Sequence, residues 1–566
     1  MTDGGAQGAG RNRDRTRGSS SHLRRYGVFY GIGAVILLIL VLVPVLTGGD
    51  DDDGDDDTSA VAAGGSNGEG PWRPASGDIE SGTGTTKNGD ECGEGDRQIP
   101  DTVYSVPCLP EFTGDNGGAT SRGVTGDTIR LVFRDFPESA NSQQTDQELR
   151  DRGLATTEDT DDIRDQFIEY LADHYELYGR KIEISEYTSQ FSNATSELLG
   201  GNREEACQDA TQIVDEIGAF GVIGDAGQSG VFSECAAERG LMVFNGGAYY
   251  SEDWFRDQHP YVWSNTMDCS RVSAHVAEYI GKRLLDKPAK FAGDPELQEK
   301  TRTFATYVPE NEQYAKCVDI TENIVKDEYG GSGSQVIVRY QLDISRFTEQ
   351  AQRAVVQFKA EGVTTVVTAA DPISIAALTT AANEQDYHPE WLTIGTAFAD
   401  LNSFARGYDQ EEVDGHLFGL SQLGENSAIF GPEGEVEPLY KKMTGEEILK
   451  GTTGEFYYLV NALNLLQAAG PDLTPENVAK GAWSLPPMGD EDSAAGVWWY
   501  GDSVKGDGGD HTVVQDSKEV YWDADAPPEA TEADQDAKGD YIPTYDGRRF
   551  VLGEWPEGEP ELGGGT

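Results

Sequence analysis

The segment Phe220–Gly247 reads FGVIGDAGQSGVFSECAAERGLMVFNGG and sets polar groups at the ends of two short apolar runs. Asp225, Gln228 and Ser229 follow the first run; Gly246, Gly247 and Tyr249 follow the second. A carboxylate, an amide, hydroxyls and glycines that let a ligand reach backbone N–H groups can hold a small molecule by hydrogen bonds. The same residues make a poor case for hydrolysis, because Ser229 sits in GQSGV, where Val231 replaces the last glycine of G-x-S-x-G. Further along, Tyr314 ends YVPENEQY, and Ala370 and Asp371 lie in TAADP. The seven histidines (His22, His174, His259, His275, His388, His416 and His511) form no metal-ligand spacing, and His275, on the apolar stretch VSAHVAEYI, reads as a packed residue. GGSGSQ, at 330–335, precedes a strand instead of following one and is no dinucleotide loop. No cofactor, metal or catalytic residue is expected, and the reading is of a binding protein and not an enzyme.

These residues need elements to position them, and the sequence alternates between two periods. TIRLVF (128–133), KIEISEY (181–187), AFGVIGD (219–225) and LMVFNGG (241–247) read as strands. Helical patterns separate them, DDIRDQFIEYLADHYELYG (161–179) and REEACQDATQIVDEIG (203–218), each closed by glycine. The same grammar restarts after HPYVWSNTMD (259–268), with strands TFATYV, SQVIVRYQLD, VTTVVTAAD and EWLTIGT and helices between them. Strands alternating with helices imply parallel sheets with crossover helices, and two such units of similar size imply two lobes of matching topology. Open parallel sheets bind ligands outside the carboxyl ends of their strands, and helix N-termini there attract anions. The candidate residues all fall at such ends. Asp225, Gln228, Ser229, Gly246 and Gly247 would line one wall of a cleft, and Tyr314, Ala370 and Asp371 the other.

The flanks are different. Tyr26–Leu46 is a run of 21 residues without a charge, long enough to span a bilayer as a helix. Arg11, Arg13, Arg15, Arg17, Arg24 and Arg25 precede it and a block of aspartates from Asp50 to Asp57 follows. The positive-inside bias leaves residues 1–25 in the cytoplasm as a basic tail and sends the rest outside the cell. Ala60-Val61-Ala62 has the form of a signal-cleavage site but lies far past the run, so an uncleaved single-pass anchor is the expectation and a cleaved signal the alternative. Residues 47–122, rich in Gly, Asp, Ser and Thr, read as a disordered linker, and 526–566 as an acidic tail, poorly ordered apart from DGRRFVLGEW. The net charge of −57 over 566 residues disfavours nucleic acid and anionic membrane surfaces as partners. Six cysteines in an exported chain point to disulfides; pairing neighbours in sequence gives Cys92–Cys108, Cys207–Cys235 and Cys269–Cys317, one of 15 possible sets.

DTIRLVF, GVIGDAGQSG with CAAERGLMVFNGGAY, HPYVWSN, TYVPENEQYAK and VTTVVTAADP occur in an order and spacing that resembles the type I periplasmic binding proteins, the Leu/Ile/Val-binding or amide-binding receptors of ABC transporters. The resemblance covers about residues 123–525. It implies an α/β clamshell of two Rossmann-like lobes joined by three crossovers, near Tyr261–Thr266, His416–Ser421 and Thr512–Val514. It divides the chain into one lobe of 123–263 and 422–511 and another of 264–421 and 512–525, and makes a disulfide like Cys207–Cys235 familiar. It implies a small organic ligand, an amino acid, amide or related solute, delivered to an ABC permease. A membrane-anchored sensor built on the same clamshell is the alternative. Where such receptors hold a ligand carboxylate with a hydroxyl, this chain departs from them with Tyr249, or just before it Gly246 and Gly247, while Tyr314 matches a tyrosine that stacks on the ligand. Where the family's amino-acid receptors have an acid for the ammonium, this chain has Thr396, Ala397 and Phe398, with Asp400 the nearest carboxylate. Both departures count against an α-amino acid and leave an apolar or amide-like solute.

Overall fold

The computed structural model describes residues 71–137, 156–190, 192, 197, 201–247, 249–426, 433–449, 452–489, 496–501, 503–506, 508–528 and 536–562. The apolar run 26–46 and the aspartate block lie outside the described residues; among those described, no helix is long and apolar enough to cross a membrane.

The first sheet holds β1 (Thr128–Asp135), β2 (Lys181–Thr188), β3 (Gly221–Gln228), β4 (Met242–Gly246) and β5 (Val262–Trp263) in the order 2-1-3-4-5, all parallel. The second holds β6 (Phe304–Pro309), β7 (Val336–Tyr340), β8 (Thr365–Thr368), β9 (Glu390–Thr393) and β10 (Leu417–Ser421). These also run parallel, and their spatial order repeats that of the first sheet, with β7 at one edge, then β6, β8, β9 and β10. This is a doubly wound order whose switch point lies between the first and third strands of each sheet. The two lobes thus have the matching topology read from the sequence.

The helices begin where the sequence supplies caps. α1 (Thr157–His174) opens on a capping box of Thr156 and Asp159. α2 (Arg203–Gln212) and α3 (Gly230–Glu238) flank β3, and α4 (Glu252–Asp257) follows β4. α5 (Cys269–Tyr279) is capped by Asp268, and α6 (Glu312–Asp327) by Asn311. α7 (Ile344–Glu361) buries Phe347, Ala351, Ala354, Val355 and Phe358 at helical spacing and stops at Gly362 in the left-handed conformation. α8 (Pro372–Glu384) starts on Asp371 with Pro372 in its first turn. α9 (Gly454–Ala469), followed by α10 (Pro475–Ser484), is buried along its whole length and packs on α1, β3 and β4 of the first sheet.

The chain passes between the sheets three times. β5 leads into α5, which packs on α6; β10 leads back toward α9; and Thr512, bridged to Ser264 in parallel, leads to β11 (Asp516–Asp523) beside β10. The crossing segments are stitched by Arg271, which pairs with Asp510 at 3.0 Å, and by Thr512, whose hydroxyl donates to Asp268 at 3.3 Å.

Two flanking segments depart from the sequence reading. Residues 71–122 are not a free linker: Ile99, Tyr104, Val106 and Leu109 are fully buried. Asn464 of α9 receives the Val106 N–H and donates to the Tyr104 carbonyl. The composition is too polar to fold alone, but docking on α9 supplies the core that the segment lacks. Residues 47–70 lie outside the described residues. In the described part of the tail after Ala526, β12 (Asp540–Pro543), outside the stretch expected to be ordered, pairs antiparallel with β11, as does β13 (Arg549–Val551) within DGRRFVLGEW, and Trp555 packs on Phe550 and Tyr279. Arg549, in DGRRFVLGEW, is wholly buried on Asp516 at 3.0 Å as a structural ion pair.

The structure pairs Cys92 with Cys108, Cys207 with Cys235 and Cys269 with Cys317.

Candidate ligand-binding site

At the switch point of the first lobe, β1 and β3 end on a closed polar cluster. Arg134 bonds Glu197 through both terminal nitrogens and Asp209 at 2.6 Å, and also donates to Gln228 at 3.3 Å. Its guanidinium stacks over Phe232, 4.1 Å from the ring centre. Ser229 donates to Glu197 at 2.7 Å and caps α3 by accepting the Phe232 N–H. Gln228 and Ser229 are therefore already bonded within the protein. The mouth of α3 is also covered: a side-chain carbon on Gly230 would fall 2.1–2.6 Å from the Tyr250 ring. With Glu197 at hand and Tyr250 over the helix end, this is a hostile place for a ligand carboxylate. Asp225 falls in β3, and its side chain lies outside what the structure describes.

The glycines after β4 answer to packing. Gly246 is buried against Ser233, and Gly247, at φ +68°, lets the Trp254 ring approach to where a side chain would stand. In the second lobe Ala370 is fully buried, and Asp371 accepts the Ile373 and Ser374 N–H groups and the Tyr340 hydroxyl. Burial pushes the Asp371 carboxyl up. Asp371 thus serves as a helix cap.

Tyr249 and Tyr314 line one chamber. Tyr249 lies on the first lobe, and its hydroxyl accepts the Phe398 N–H of the second lobe at 3.0 Å, with the two rings edge to face at 5.9 Å. Both walls of this contact carry left-handed backbone outside glycine: Asn245 (φ +79°) at the end of β4 and Tyr249 (φ +65°) after it, Ala397 (φ +51°) and Phe398 (φ +60°) after β9. Such conformations cost on the order of 1–3 kcal/mol each and gather at ligand sites.

Two chambers of about 50 Å³ each adjoin here, and both are lined by Tyr249 and Val272. The first runs into the second lobe between α5, α6 and the sheet, lined by Val276, Ile280, Val318, Val325, Phe304 and Val367, with Tyr314 near its cleft end. The second lies toward the crossing segments, lined by Asn265, Met267, Asp400, Gln422, Trp498 and Val514 among others. Its polar atoms are incompletely used. Asn265 is 1 % exposed and neither its amide oxygen nor its amide nitrogen has a protein partner. Asp400 accepts from Ser421 at 2.7 Å through one oxygen while the other is unpartnered, as is the Gln422 amide nitrogen. Burial pushes the Asp400 carboxyl up to about 6. Buried polar atoms left without a hydrogen bond cost ~1–3 kcal/mol each, so their convergence on one chamber is a binding feature. Among the described residues, neither chamber is lined by Lys or Arg, and no cluster of side chains could hold a metal ion. Of these residues, the sequence offered Asp400 only as the carboxylate nearest the position where the resembled family has an acid, and Asn265 only within HPYVWSN at the first crossover; Gln422 was not a candidate.

No protein-family model and no curated protein matches the sequence. Solved structures do. A solute-binding protein of an ABC transporter from Rhodopseudomonas palustris in complex with 4-hydroxybenzoate is similar at 13% identity and a TM-score of 0.49, over 76% of this chain and 99% of its own. A fatty acid ABC transporter substrate-binding protein from Thermomonospora curvata is similar at 13% identity and a TM-score of 0.47, over 78% and 96%. A branched-chain amino acid transporter substrate-binding protein from Streptococcus pneumoniae in complex with isoleucine is similar at 13% identity and a TM-score of 0.44, over 74% and 100%. Likeness at this level concerns the fold and bears on nothing finer.

Proposed function

We propose that the chain is an extracytoplasmic solute receptor, which binds a small organic molecule between its two lobes and presents it to an ABC-type permease. The observation that carries this reading is the pair of adjoining chambers at Tyr249 and Val272, to which both lobes and a crossing segment contribute. They lie at the carboxyl ends of parallel strands, where doubly wound sheets bind ligands. Orphaned amide and carboxyl atoms beside an apolar wall suit a ligand held by few polar contacts and much apolar area. A ligand that touches both lobes shifts the population toward the form in which they meet, by as much as its affinities for the two forms differ. Anchoring through residues 26–46 and export of the lobes belong to the same proposal. The test is a thermal-shift panel of amino acids, amides, aromatics and short peptides on the full chain. A true ligand raises the melting midpoint as its concentration rises; a panel in which none does so in a dose-dependent way counts against the receptor.

A further inference from the structure

The first chamber has a shape and a chemistry that the receptor reading alone does not explain. It continues from the cleft down the inner faces of two helices. Val272 and Val276 on α5 and Ile280 in the helical turn that continues it repeat every four residues and line it; on α6, Val318 and Val325 stand two turns apart. From Tyr314 to Val325 the lining extends roughly 16 Å along α6, at 1.5 Å per residue. Beyond Tyr314 and Thr396, the polar side chains of this wall are bonded within the protein. Ser273 donates to the Cys317 carbonyl at 2.7 Å, Thr321 to the Ser273 carbonyl at 3.3 Å, and Thr306 bonds Ser334 at 2.8 Å. Glu322 accepts the Ser334 N–H at the far end. Past the Tyr314 and Thr396 hydroxyls at the cleft end, a wall whose polar side chains are already bonded suits an apolar occupant, since a water there needs two or more polar partners. At the cleft end the character reverses, with Asn265, Asp400 and Gln422 offering unpartnered donors and acceptors just beyond Tyr249 and Val272.

We propose that the ligand is an elongated amphipathic molecule: its apolar tail runs between α5, α6 and the second sheet, and its uncharged polar head is held by Asn265, Asp400 and Gln422. This rests on the receptor reading and narrows it to a substrate class. A carboxylate head is disfavoured, because an acid lines the head chamber and no Lys or Arg of the described residues does.

The test is calorimetric titration of the full chain with straight-chain primary amides from butanamide to dodecanamide, beside the carboxylates of equal length. Affinity rises by roughly fourfold per added methylene until the channel is full, then levels. Val276→Phe, halfway along, moves that levelling point to shorter chains; Val325→Phe, deeper, trims only the longest. Asn265→Leu weakens amides of all lengths by one common factor. Melting curves and retained butanamide binding show that each phenylalanine variant is folded, and having two guards against the loss of either. Affinity independent of chain length, or a rise that both phenylalanine variants leave unaltered, overturns the channel. Carboxylates that bind as tightly as amides overturn the head. Butanamide that binds while longer chains gain nothing leaves the receptor standing without the channel; a series in which no member binds overturns the inference and counts against the receptor too.

Discussion

Asp400 and Tyr314 are the side chains on which the site can be tested one at a time. Tyr314 is half-buried in the first turn of α6 and lines the apolar chamber near its mouth. Tyr314→Ala is expected to weaken ligand binding by well over tenfold while hardly altering the melting midpoint, because the ring contributes to the chamber wall more than to the core. Calorimetry giving equal affinities would remove the ring from the site. Asp400 carries a pH signature. Its carboxyl is raised by burial from 3.8 to about 6, so the folded state binds this proton more tightly than the unfolded chain. The group's contribution to stability is then complete below pH ~4 and is lost as pH rises through 6, to a total of about 3 kcal/mol. Asp400→Asn removes that dependence, so the variant should gain on the parent between pH 4 and 7.5 in denaturant titrations. A stability difference that is constant with pH would show that the carboxyl is not desolvated. The comparison must be between variant and parent. Buried His275 and His511, both lowered to about 3, act in the opposite sense, losing stability as pH falls below the ordinary histidine range.

At the scale of elements, α5 and α6 matter most, since they wall the apolar chamber and are tied at their cleft ends by Cys269–Cys317. This bridge closes a loop of 48 residues, for which the chain-entropy account gives ~4 kcal/mol. Replacing both cysteines by serine is expected to lower stability to chemical denaturant by that order, and a loss below ~1 kcal/mol would mean that helix packing alone fixes the pair. The parallel core was legible because its signals are local: TIRLVF, TFATYV and VTTVVTAAD have strand periods, and Asp371-Pro372 and Gly362 mark helix ends with their own backbone chemistry. Residues 71–122 were not legible, since Ile99, Tyr104, Val106 and Leu109 are too sparse to predict a core and gain one only by docking on α9, more than 340 positions away. The site was half legible for a related reason. Tyr249 and Tyr314 follow strands, where parallel sheets bind ligands, whereas Gln228, Ser229 and Asp371 share that position but are used by the Arg134 cluster and a helix cap. Sequence position marks the mouth of a cleft; which polar groups remain unspent depends on partners far along the chain, as with Asn265, Asp400 and Gln422.

On the scale of the whole molecule, two lobes of one topology meet through Tyr249 and Phe398 and are threaded by three crossing segments. The crossings are few and stitched by buried charge, Arg271 on Asp510 and Asp268 beside Thr512, so relative motion of the lobes must be absorbed there. Burial, with Asp510 adding to it, pushes the Asp268 carboxyl up to about 7, which places a titratable group at this junction. The central claim is that one small molecule touches both lobes at once. Hydrogen–deuterium exchange of the full chain, with and without the tightest hit of the small-molecule panel, reads this directly. The account predicts simultaneous protection around Tyr249 in the first lobe, Asn265 in the first crossing and Asp400 in the second lobe. Protection confined to one lobe, or lying away from these three segments, would contradict it.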